Sequence, residues 1–222
     1  MAPVTPAGAP WQTPATLSLG PAVAIWGKEG DGKGEFREPR GIAVGADGRV
    51  YVADTGNKRV QVFDSEGHYL AMWQKADQPF EVPWDIVINS RGEILVLDIG
   101  PCWIYRFNAD GRYLGKFAGP EARLYASHGM SIDRQGNIYV ADTGGFRLVR
   151  FSADGALTAE YGGRGSGPGQ LLEPTDVAFA SNGDMFVVDN SNQRIQRWGA
   201  DGTYIGEWPI PVANAYNGPH LV

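Results

Sequence analysis

At 222 residues the chain has the length of a single domain. It carries 25 acidic and 19 basic residues, a net charge of −6, which argues against a broad phosphate-binding face and a nucleic-acid partner. Cys102 is the only cysteine, so no internal disulfide can form.

Residues 1–20 are dominated by Pro and Ala and hold no apolar run long enough for a signal peptide or a membrane span; they predict a flexible linker ahead of a domain over 21–222. Residues 22–26 align with the last strand of a repeating unit, and the glycine-rich run Gly27 to Gly34 follows. Ile42-Ala43-Val44, Val50 to Ala53, Val60 to Phe63 and Tyr69 to Trp73 then read as four short strands, rich in β-branched and aromatic residues. Turns at Asp47-Gly48, Thr55 to Lys58 and Glu66-Gly67 separate them, the glycines supplying the positive φ that tight hairpins need. These strands form one unit over 39–73, and the pattern returns over 83–117, 127–161 and 174–208. Gly162 to Gly169 repeats the earlier glycine run between two units. No helix follows either run, so both read as connectors rather than phosphate cradles. Ser166 lacks the flanking glycines of a nucleophile elbow, and Asp64 to Gly67 lacks the distant Glu of a calcium loop. The chain ends on 218–222, which aligns with a first strand. No stretch sustains a helical period.

The units are in register. Asp54, Asp98, Asp142 and Asp189 follow one another at steps of 44, 44 and 47 residues, as do the turn glycines Gly48, Gly92, Gly136 and Gly183. A several-stranded repeat of this period marks a propeller blade, and one repeat cannot bury its own apolar face, so the units must stack. The sequence therefore predicts an all-β fold: a β-propeller of four-stranded antiparallel blades, four of them complete. The segments 22–26 and 218–222 would belong to a shared or missing blade. Four blades with stray terminal strands would leave open sheet edges, so completion by further sequence or by a second chain is expected. Within a unit, Asp54 and Arg59, Asp142 and Arg147, and Asp189 and Arg194 bracket the turn between the second and third strands and are placed to pair across it. The second unit departs, with Trp103 opposite Asp98 in the stretch Gly100-Pro101-Cys102-Trp103.

Residues Gly34 to Val44 and Val50 to Phe63 resemble the NHL-repeat family of β-propellers, over about 22–222. That resemblance implies the propeller fold and leaves the function open, since propellers host binding, scaffolding and several chemistries. Gly206 to Pro211 and Gly162 to Gln170 look like NHL propellers appended to bacterial multi-spanning membrane proteins. This narrower likeness implies a bacterial source, a membrane-protein neighbour and an extracytoplasmic or membrane-associated location, although this chain itself carries no span.

First strands of a propeller line its channel, so the residues after the first-strand proline should converge. That column reads Arg40, Trp84, His128, Thr175 and His220, and the next reads Gly41, Asp85, Gly129, Asp176 and Leu221. His128, His220, Asp85 and Asp176 are the candidate metal ligands, for zinc or calcium. Some propeller lyases carry a Pro-His-Asp triplet in this column, but here the triplet is never intact. The leading expectation is thus a non-enzymatic module that needs no cofactor and docks a protein partner within a larger assembly. Its contact residues would be Arg40, Trp84, Arg123 and His128 at the channel mouth, with Trp103 at the odd turn. The alternatives are a metal-dependent lyase or hydrolase in the channel, and a carbohydrate-binding module stacking sugars on Trp84 and Trp103.

Overall fold

The structure is a computed structural model that describes residue 22 and residues 24–210; the expected linker over 1–20 and the strand over 218–222 lie outside the described residues. It is an all-β propeller of four blades, each a four-stranded antiparallel sheet in sequence order, with no α-helix among the described residues. Blade 1 comprises β3 (Pro39–Val44), β4 (Val50–Asp54), β5 (Arg59–Phe63) and β6 (Tyr69–Trp73). Blade 2 comprises β7 (Pro83–Ile88), β8 (Ile94–Asp98), β9 (Trp103–Phe107) and β10 (Tyr113–Ala118). Blade 3 holds β11 (Gly129–Ile132), β12 (Ile138–Asp142), β13 (Arg147–Phe151) and β14 (Leu157–Gly162). Blade 4 holds β15 (Pro174–Phe179), β16 (Met185–Asp189), β17 (Arg194–Trp198) and β18 (Tyr204–Pro209). Ahead of them, β1 (Lys28–Glu29) and β2 (Glu35–Phe36) form a two-residue parallel pair inside the first glycine-rich connector.

The core lies between blades, as a repeat that cannot bury itself requires. Tyr51, Val60 and Trp73 of blade 1 pack on Ile86, Val96 and Phe107 of blade 2. Leu95, Leu97 and Ile104 meet Met130, Val140 and Phe151 at the second seam, and Tyr139 and Leu148 meet Val177, Val187 and Trp198 at the third. An aromatic at the end of an outer strand also closes over a turn glycine of the next blade. Trp73 lies against Gly111 and Tyr161 against Gly202, so close that an added Cβ would collide with the ring. Residues 22 and 24–27 are not in a ladder, yet Trp26 sits on Gly67 in the same way, at the place of an outer-strand aromatic.

Each blade is stapled to the connector before it. Asp54, Asp98, Asp142 and Asp189 are all fully buried. Their carboxylates accept N–H groups from the incoming chain: Arg37 on Asp54, Glu81 and Val82 on Asp98, Tyr125 on Asp142, Leu172 on Asp189. The Asp–Arg pairs read in the sequence form, with Arg Nε to Asp Oδ2 at 2.6 Å for Arg59, 2.9 Å for Arg147 and 2.9 Å for Arg194. The other guanidinium nitrogens reach further, into the connectors. Arg59 donates to the carbonyls of Asp31, Gly32 and Glu35, and Arg194 to those of Ser166, Gly167 and Gln170. Both glycine runs are therefore blade connectors whose carbonyls are satisfied by arginine. Blade 2 keeps the aspartate and exchanges the arginine for rings: Phe80, buried in the connector, packs on Tyr105 and Phe107 at 6.1 and 5.9 Å.

Candidate channel-mouth site

The first strands carry a repeated irregularity. In blade 2 Pro83 pairs with Asp98 and Asp85 with Leu97, so Trp84 is the extra residue of a β-bulge. Thr175 is the extra residue in blade 4, and Arg40 with Gly41 face a single residue in blade 1. Bulges leave a residue outside the ladder and re-aim its side chain. Here they turn one column of residues toward its neighbours around the channel. The Arg40 guanidinium lies 4.6 Å from the Trp84 ring centre, and Trp84 stacks on His128 at 4.8 Å with 14° between planes. Arg40 comes from the preceding blade and His128 from the following one, so the indole is flanked on both sides. Cation–π and ring stacking of this kind contribute about 0.5–2 kcal/mol each. Thr175, fourth in the column, is buried, and its Oγ1 has no hydrogen-bond partner among the described residues.

The second column interlocks. A Cβ on Gly41 would come within 2.6 Å of the Asp85 Cα, and one on Gly129 within 2.6 Å of the Thr175 carbonyl and 2.9 Å of Asp176 Oδ1. Glycine in one blade thus makes room for aspartate in the next. Asp85 Oδ2 accepts the Met130 N–H at 2.6 Å and Oδ1 its neighbour Ile86 N–H at 2.8 Å, which ties blade 2 to blade 3. Burial pushes the Asp85 carboxyl up to about 7; the two N–H donors oppose this and the charge of Asp176 adds to it.

A pH dependence follows. The unfolded Asp85 ionises near its ordinary 3.8 while the folded one keeps its proton to about 7. The folded state therefore binds more protons in that window, and its stability falls as pH rises from 4 to 7, then levels off. Asp85→Asn keeps an acceptor for Met130 and removes the charge. It is expected to flatten the slope and to be more stable than the wild type at pH 8, by about 2–4 kcal/mol at 1.36 kcal/mol per unit. Asp98, also raised by burial, keeps a residual slope of the same sign. Urea titrations at pH 4.5 and pH 8 read this; a variant less stable than the wild type at pH 8 contradicts it.

The other residues marked in the sequence are placed apart from the stack. Arg123 follows the 3-10 turn Pro120–Ala122 in the connector before blade 3, where its carbonyl accepts from Arg147. Trp103 opens β9; its ring lies on Gly119 and the Lys116 ammonium sits 4.1 Å above it, so it is half-buried by its own blade. Cys102 takes the left-handed position of that turn, φ 58°, with Sγ on the Ile99 carbonyl. His220 lies outside the described residues, and among those described no group of three or more His, Cys, Asp or Glu is arranged to hold a metal ion. No helix of the described residues is long and apolar enough to cross a membrane. Sequence reasoning lined up the column Gly41, Asp85, Gly129, Asp176 but did not see that its alternation is steric; the strict Gly–Asp alternation between neighbouring blades was the available signal.

Comparison with known proteins bears on the repeat. A family model described as the NHL repeat matches residues 36–63 and again 171–198, which are the first three strands of blades 1 and 4 with the end of each incoming connector. The chain carries NHL repeats. Protein lin-41 of Caenorhabditis elegans is 49% identical over 49 residues, 22% of this chain and 4% of that protein. NHL repeat-containing protein 3 of Homo sapiens is 43% identical over 54 residues, 23% of this chain and 16% of that one. The matches thus span a small part of these relatives, about the length of one blade with its connector. Among solved structures, virginiamycin B lyase from Staphylococcus aureus superposes with a TM-score of 0.63 at 22% identity, over 79% of this chain and 56% of that one. A gluconolactonase from Xanthomonas campestris gives 0.62 at 21%, over 78% and 62%. At these identities the likeness shows the fold alone.

Proposed function

We propose that this NHL propeller is a docking module for a protein or peptide partner within a larger assembly, without chemistry of its own, and that the partner meets the Arg40–Trp84–His128 stack. The observation that carries this reading is the stack itself. Three blades each spend a residue on it, Arg40 and Trp84 at first-strand bulges and His128 just ahead of β11, and Arg40 forms no ion pair among the described residues. With both faces of Trp84 flanked, the stack offers edges: guanidinium N–H groups, an indole edge and an imidazole. Such a ridge suits backbone carbonyls and carboxylates of a peptide. It suits a sugar ring poorly, because stacking needs an open aromatic face, and Lys116 and Gly119 also cover Trp103. A bacterial source, a membrane-protein neighbour and an extracytoplasmic setting belong to the same proposal.

The test places a photoreactive benzoylphenylalanine at Tyr125, which is 68% exposed and three residues before His128. A discrete adduct is expected in cells of the source, lost when Trp84→Ala is added. Trp103→Ala should lower the melting temperature and leave the adduct. An adduct indifferent to Trp84→Ala, or none, rejects the reading.

A second reading rests on Asp85. A carboxyl held near pKa 7 beside Asp176 in the channel is suited to proton transfer, as a lyase or hydrolase requires. Cleavage of a chromogenic lactone or ester that disappears in Asp85→Asn favours it over docking.

A further inference from the structure

The three inter-blade seams show what each face of a blade is built to meet. On one side stands a set from the second, third and fourth strands, Tyr51, Val60 and Trp73 in blade 1. On the other stands a first-strand residue of the next blade, Ile86. Ile86, Met130 and Val177 are 2%, 5% and 2% exposed, yet Ile42, the same position in blade 1, is 61% exposed, and Val44 beside it is exposed too. At the other end of the array, Phe186, Ile195 and Trp208 repeat the opposite set and, with Pro209, line an apolar cleft of about 480 Å³. Trp208 stacks on Phe186 at 5.8 Å. Phe186 and Ile195 are only half-buried, whereas Tyr51, Leu95 and Tyr139, and Val60, Ile104 and Leu148, are buried at the equivalent positions. Among the described residues the array thus carries both halves of one more seam, at its opposite ends.

We infer that the two open faces are a docking surface for a second copy of this chain, blade 4 of each protomer seating on blade 1 of the other. The contact is head-to-tail, and two such contacts close a pair in which both of these faces are covered. Two copies of four blades make a ring of eight, within the range of four to eight blades that propellers use. The occupant is fixed by the internal seams: Ile42 needs a ring and a branched side chain placed as Tyr51 and Val60 are, and blade 4 offers Phe186 and Ile195 there. Trp26 adds a detail. It occupies Gly67 as Trp73 occupies Gly111, so it holds the place that Trp208 of a second copy takes on docking. It acts as a plug on the single chain.

Sedimentation velocity on the full chain, over a range of concentrations, tests this. The wild type is expected to run as a closed dimer. Ile42→Asp and Phe186→Asp each put a charge into both seams and should weaken the dimer by about a hundredfold, since an unpaired charge is costly in an apolar contact. A mixture of the two variants retains one wild-type seam and should recover a dimer that neither forms alone. Trp26→Ala should tighten association. Val44→Lys and Ile195→Lys provide a second such pair should an aspartate variant fail to melt cooperatively. A monomeric wild type, open-ended oligomers, single variants that still dimerise, a mixture that stays monomeric, or a Trp26→Ala chain that associates less each overturn the inference.

Discussion

Arg59→Ala is expected to destabilise the protein by about 3–5 kcal/mol, the cost of breaking a buried ion pair by removing one partner. The side chains of Arg59 and Asp54 are 5% and 0% exposed, and Nε to Oδ2 is 2.6 Å. Truncation also orphans the connector carbonyls of Asp31, Gly32 and Glu35, which accept from the same guanidinium. Asp54 would retain the Arg37 N–H, Asn57 Nδ2 and Gln61 Nε2, so the carboxylate is not stripped, which holds the cost near the lower end of that range. Arg147 gives a graded comparison. Its side chain is 19% exposed and also meets Glu160, so Arg147→Ala should cost less, about 1–2 kcal/mol. Because Asp54 and Arg59 act as one unit, the double variant Asp54→Asn with Arg59→Met should cost less than the sum of its parts. Urea unfolding monitored by tryptophan fluorescence reads all of these. Equal losses at Arg59 and Arg147 would show that burial does not set the worth of the staple.

Trp73→Ala should cost a similar amount, about 3–5 kcal/mol, through a different term: a cavity at a seam that cannot collapse. The indole lies between Tyr51 at 5.5 Å and Phe107 at 5.3 Å, and it closes over Gly111. It therefore belongs to two blades at once. Removal opens their interface rather than the interior of either, so hydrogen exchange should speed up in β4 and β8 together while blade 4 keeps its protection. Trp73→Phe keeps a ring and should cost about half as much. A loss confined to blade 1 would mean that the seams do not couple neighbouring blades.

The repeat made the fold legible. The steps between Asp54, Asp98, Asp142 and Asp189 and the regular turn glycines set strand order, blade count and turn positions, since a hairpin's turn chemistry is local. The Asp–Arg pairs were legible for the same reason: both residues flank one turn. What the arginines do with their remaining donors was not, because the connector carbonyls they reach lie 24 to 28 residues away along the chain. The column Arg40, Trp84, His128 could be aligned, but the bulges that swing Arg40 and Trp84 into one stack with His128 depend on ladder register, which the sequence pattern does not carry. Trp103 read as a departure from the repeat. Its meaning emerges with Phe80 and Tyr105, where blade 2 backs the Asp98 carboxylate with rings instead of an arginine. The segment 22–26 aligned with an outer strand by its tryptophan. The structure keeps that tryptophan on Gly67 without a ladder, since among the described residues no third strand stands beside it.

The staple has a consequence for how the array comes apart. Because each buried aspartate grips the chain that enters its own blade, the unit that opens as one piece is a blade with its preceding connector, not the four strands alone. Adjacent units do not share this polar anchor, so cooperativity passes between them through the apolar seams and through cross-blade bonds such as that from the Met130 N–H to Asp85. Such an array behaves as a short row of coupled elements, in which the propagation of unfolding is limited by its weakest junction. Blade 2 holds its connector without an arginine. Its grip rests on the Asp98 carboxylate and on rings, with no ion pair for salt to screen, whereas the part-exposed Arg147–Asp142 pair of blade 3 is open to screening.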